Sequence, residues 1–103
     1  MKIIKKLSEF IEDELDGAEE YIEDALLYKE EYPMIAKTLF DISIEEMKHV
    51  DMLHNDVVDI IEKYKREHGD PPEAMAAIYE HIHKKNIKKA AKIKMYQNQY
   101  KGV

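Results

Sequence analysis

No cysteine occurs among the 103 residues, and that absence removes disulfides, cysteine-ligated zinc, iron–sulfur and rubredoxin-type centres and thiol nucleophiles together. Glycine and proline are scarce, at three each, and most of them stand at punctuation points. No apolar run approaches the ~20 residues that a membrane-spanning helix needs. The opening stretch "MKIIKKLSEFIEDELD" turns acidic almost at once, with neither a long apolar segment nor a small-residue cleavage site, so a cytoplasmic protein is expected. Length gives one domain, residues 1–103, since domains run from about 50 to 250 residues.

What is present is helical pattern and charge. Residues 1–70 carry 9 basic against 20 acidic side chains, whereas residues 71–103 carry 7 against 2, so a net charge of −6 conceals two ends of opposite sign. The basic end holds Lys84, Lys85, Lys88, Lys89, Lys92 and Lys94 on one predicted helix. These lysines are read as solvated or set against the acidic helices of a neighbouring subunit. A nucleic-acid module usually has a basic domain, not one basic helix.

Two breaks divide the chain. In "KEEYPM", Pro33 suits the first turn of a helix and biases Tyr32 away from helical angles. In "REHGDPPEAM", Gly69 ends one helix, Asp70 is placed to cap the next, Pro71 takes its first position and Glu73 completes a capping-box spacing. The expected architecture is all-α: helices at about 2–30, 33–67 and 71–100, the first two forming an antiparallel hairpin.

The first helix has a seam at spacings of three and four, Ile4, Leu7, Ile11, Glu14, Ala18, Tyr21, Ala25 and Tyr28, interrupted by charge only at Glu14. Phe10, Leu15, Ile22 and Leu26 widen the apolar face. The second helix repeats the pattern with Ile35, Leu39, Ile42, Glu46, His49, Leu53 and Ile60, and here two successive seam positions are polar. Glu46 and His49 are three apart and emerge from one face. When the hairpin folds at Tyr32 and Pro33, a rise of ~1.5 Å per residue sets Glu14, Glu46 and His49 at about 25, 20 and 24 Å from the turn. All three reach one level. Two carboxylates and an imidazole in an apolar interface are difficult to stabilise as bare charges, and a divalent cation satisfies all of them. The competing reading is a Glu14–His49 hydrogen-bonded pair in a polar layer that fixes helix register without metal.

These residues resemble the ferritin-like superfamily, the di-iron carboxylate proteins that include bacterioferritins, rubrerythrins and encapsulated ferritins. "DELDGAEEYIEDAL" looks like their first ligand helix, with Glu14, Ala18 and Tyr21. "ISIEEMKHVDML" looks like their second, with Glu46 and His49. The likeness covers about residues 4–60. It implies a site built from two subunits, in which dimerisation completes a ferritin-like four-helix bundle and two chains together supply four carboxylates and two imidazoles to two iron ions. Manganese or zinc is possible in their place. Oxidation of Fe(II) by dioxygen or peroxide is the activity implied, with Tyr21 as a hydrogen-bonding or radical residue. On the third helix Glu80 and His83 repeat the three-residue spacing and are carried as further candidate metal ligands. The alternatives are a metal-free helical interaction protein and an anion or nucleic-acid adaptor using the lysine-rich helix.

Overall fold

A computed structural model describes residues 1–102. Three helices follow one another: α1 (Lys2–Tyr28), α2 (Pro33–His68) and α3 (Glu73–Lys101), and the described residues contain no strand. At ~1.5 Å per residue the 36 residues of α2 span about 54 Å, and α2 therefore sets the long dimension of a molecule measuring 55 × 21 × 17 Å. Contacts between α1 and α2 pair low numbers with high ones, as in Glu14–His49 and Ala18–Ser43, so the hairpin is antiparallel. Contacts between α1 and α3 rise together. Tyr79 meets the Met1 amine, Lys89 pairs with Asp16, Lys92 with Glu19, and Lys29 donates to the Tyr100 carbonyl. The chain thus runs up, down and up.

Both breaks do their expected work, with one difference. Tyr32, at φ −131°, is the non-helical residue before α2, and Pro33 opens that helix. Gly69 ends it at φ 78°, a backbone conformation that a Cβ would strain, while its N–H donates to the Lys65 carbonyl. The third helix begins at Glu73, not at Pro71, and Asp70 makes no side-chain cap. The cause is the second proline: Pro72 disfavours helical angles at Pro71, so no helix can start until Pro72 is passed.

The core is formed by Ile11, Leu15, Ala18, Ile22 and Ala25 of α1, Val50 of α2 and Ile93 of α3. It does not coincide with the sequence seam. Leu15 and Ile22 lie about 100° around α1 from the Glu14–Tyr21 line and take the centre, because α1 must serve α2 and α3 together. Ile4, Ile11, Ala18 and Ala25 stay buried, whereas Leu7, Glu14 and Tyr21 are only half-buried and Tyr28 is exposed. On α2 the buried positions are Ala36, Ser43 and Val50, not the Ile35–Ile42–His49 line.

One polar chain crosses this core. Ser43 donates to the Ala18 carbonyl at 2.8 Å, and Gln97 donates to the Ser43 hydroxyl at 3.0 Å. All three helices are joined at that level. The C-terminal half of α3 is anchored further by Tyr100 stacked on Phe40, with ring centroids 4.5 Å apart. The N-terminal half of α3 contributes no buried residue.

Candidate metal centre

With α3 lying on one side of the hairpin, the other side is open. It displays Ile3, Leu7, Phe10, Glu14, Gly17, Tyr21 and Tyr28 of α1 beside Ile35, Leu39, Ile42, Glu46, His49 and Leu53 of α2, all half-buried or exposed. The polar layer expected inside a helical interface therefore stands on an uncovered face of the single chain.

Glu14, Glu46 and His49 converge there. One donor atom from each lies within 4.8 Å of the others, and among the described residues no other group of three or more His, Asp or Glu side chains does this. His49 Nδ1 is 3.2 Å from Glu14 Oε2, with the two side chains 48% and 28% exposed. Glu46 completes the set from one turn away on α2. Its carboxyl is held above the usual range first by a hydrogen bond shared with Glu14, then by partial burial and the Glu14 charge, while His49 pulls the other way. The nearby Glu14 carboxylate thus makes ionisation of Glu46 less favourable.

Gly17 faces the Glu46 carboxylate. A Cβ at that position would stand 3.4 Å from Glu46 Oε2, so the bare backbone of α1 is the wall against which the Glu46 carboxylate rests. The sequence pattern selected Ala18 as the small residue and passed over Gly17. The available signal was its position, because a glycine inside a helix costs about 1 kcal/mol relative to alanine and invites a packing reason.

These donors suit a divalent ion. Metal–ligand bonds of ~2.0–2.2 Å put the donors of a common ion about 3–4 Å apart, so the observed spread closes with small side-chain rotations. Two carboxylates with one imidazole are a hard, anionic set that matches Fe(II) or Mn(II), and accepts Zn(II) as well. Three protein ligands still leave much of an iron coordination sphere open.

The other sequence candidates lie elsewhere. Tyr21 is half-buried on the open face, two turns beyond Glu14 on α1. Glu80 is exposed and pairs with Lys84 at 3.1 Å. His83 faces α2, where its ring lies beside His54. Neither Glu80 nor His83 joins the Glu14 cluster. On the basic helix, Lys89 and Lys92 pair with Asp16 and Glu19 of α1, so part of its charge is turned inward against the acidic helix of the same chain. No helix among the described residues is long and apolar enough to cross a membrane.

Compared with models of known protein families, with curated proteins and with solved structures, the chain has no match.

Proposed function

We propose that this protein is a ferritin-like di-iron protein that oxidises Fe(II) with dioxygen or peroxide at a centre shared by two copies of the chain. The observation that carries the reading is the position of the Glu14–Glu46–His49 cluster on an open face flanked above and below by uncovered apolar side chains, with Ile35 55% and Phe10 43% exposed. A face of that kind usually marks an interface. Two copies packed through it complete a four-helix bundle, and their clusters together offer four carboxylates and two imidazoles.

In this proposal Glu14 and Glu46 would hold the iron, and their negative charge would favour its higher oxidation state. His49 closes one side of each half-site, held in place by Glu14. Iron supplies the one-electron chemistry towards dioxygen or peroxide. A bound metal would favour the ionised form of Glu46, whose carboxyl is otherwise held above the usual range by Glu14, and Tyr21 borders the site as a hydrogen-bonding or redox-active residue. Apolar neighbours from both copies exclude bulk water. Manganese is the next ion the donors favour, and a cytoplasmic location is part of the same proposal.

The metal-free register lock is the less favoured alternative, because helix register already has its own device in the Ser43–Ala18–Gln97 chain. The test is Fe(II) oxidation by the purified chain, followed optically, beside the Glu46→Ala variant. Wild type should turn over and bind iron, and the variant should do neither. Equal iron content in the two chains would remove the basis of the proposal.

A further inference from the structure

Only part of the charge on α3 is met within the chain. Lys89 pairs with Asp16, and Lys92 with Glu19 at 3.4 Å, so residues 73 apart in sequence stand at one height on α1 and α3. At about 100° per residue, Asp13 and Glu20 lie about 40–60° further round α1 than Asp16, away from Leu15 and the core. On α3, Lys85 falls between Lys89 and Lys92 in angle and Lys88 lies about 40° beyond them, away from the buried Ile93 and Gln97. Asp13, Glu20, Lys85 and Lys88 are all exposed, and none of them makes an ion pair among the described residues. The side of the α1/α3 layer turned away from α2 thus carries an acidic stripe on one helix beside a basic stripe on the other.

Such a face is complementary to itself, and geometry selects the arrangement. Turned about a two-fold axis parallel to the helices, a second copy lays its α3 on α1 of the first and its α1 on α3, with every height preserved. The same offset of 73 residues then sets Asp13 level with position 86 of the other copy, between Lys85 and Lys88, and Glu20 level with position 93, next to Lys92. An axis across the helices would instead oppose α1 to α1, acid to acid. The area suffices as well. The 27 residues of α1 span about 40 Å, and two helices each about 10 Å wide present ~800 Å² per chain, which is what a stable complex buries on each partner. Between the first turns of α1 and α3 the face also holds a cleft of about 720 Å³, lined on the α3 side by Ala74, Met75, Ile78 and Ile82, with Ile78 60% exposed. Covering the face withdraws that apolar surface from water. A nucleic acid is the poorer occupant, because its phosphates would meet Asp13 and Glu20 beside the lysines.

We propose that the outer α1/α3 face docks a second copy of this chain about a two-fold axis parallel to the helices, with the acids of α1 against the lysines of α3. This interface is separate from the open α1/α2 face that holds the Glu14 cluster, and the two together join chains into assemblies of four or more.

The test is sedimentation of the full chain in about 0.05 M and about 1 M NaCl, since at the higher concentration the screening length shrinks to ~3 Å and a charge-paired interface loses its attraction. The mean number of chains per particle should fall at least twofold at high salt. The double variant Lys85→Glu, Lys88→Glu and the double variant Asp13→Lys, Glu20→Lys should each show the high-salt size already at low salt. An equimolar mixture of the two should restore the wild-type size, because each chain then supplies the charge that the other has lost. A wild-type size indifferent to salt, folded variants that keep the wild-type size, or a mixture of folded variants that does not reassemble overturns the interface. So does a labelled DNA duplex that binds the wild type and not the Lys85→Glu, Lys88→Glu chain while the subunit number stays the same. Fe(II) oxidation by the Lys85→Glu, Lys88→Glu chain should match wild type and reports on the open-face centre alone, so the two readings fail independently.

Discussion

Among single residues, Glu46 has the most to say about pH. Its carboxyl binds a proton more tightly in the folded chain than an unfolded glutamate does, whose pKa is about 4.3. The stability this contributes is full below the unfolded value and is lost as the pH rises through the raised folded one. Chelator-treated protein should therefore lose stability as the pH rises from below the unfolded value through the raised folded one, and Glu46→Gln should flatten that slope. Denaturant titrations at several pH values check it, and a slope unchanged in the variant would mean that the Glu14–Glu46 pair is not its source. Gly17 gives a second prediction. Gly17→Ala should raise stability by ~0.5–1 kcal/mol through helix propensity, because its Cβ would meet Glu46 at an ordinary contact distance, whereas Gly17→Leu should displace the carboxylate and lower iron affinity. Iron titrations on both variants distinguish room from propensity. Glu14, Glu46 and His49 were legible in the sequence because charge in an apolar seam is conspicuous. Gly17 and Ser43 were not, since a small residue shows its purpose only when the opposing helix is in view.

At the scale of elements, the three helices follow from periodicity and from two proline breaks, and their ends moved by only a few residues. What periodicity did not contain was which side of the hairpin α3 would cover. A stripe wide enough for two neighbours leaves the choice to packing, and Leu15 and Ile22 took the centre while the Glu14 line stayed at the open edge. The uneven anchoring of α3 also has a measurable consequence. Its buried residues, Ile93 and Gln97, lie in the C-terminal half, so amide hydrogens of residues 74–86 should exchange faster than those of residues 90–100 in metal-free protein. Uniform protection along α3 would contradict this. Ser43→Ala removes the central donor and leaves the Ala18 carbonyl and the Gln97 amide without their partner, at an expected cost of ~1–3 kcal/mol in a denaturant melt.

For the whole molecule, the elongated three-helix chain exposes apolar side chains along the same face that carries its only cluster of three metal-binding donors among the described residues. Those two facts are one if a second copy covers the face. Each chain then brings half of the ligands, and assembly and metal binding reinforce one another, because a metal that binds only the paired state stabilises it by mass action. Native mass spectrometry of protein loaded with Fe(II) measures subunit number and metal number together, and so tests this most directly. The expected result is an assembly with an even number of chains and two irons per pair, reduced to iron-free species by Glu46→Ala. A single chain holding its full iron complement, or a paired chain that takes up no iron, would contradict the account.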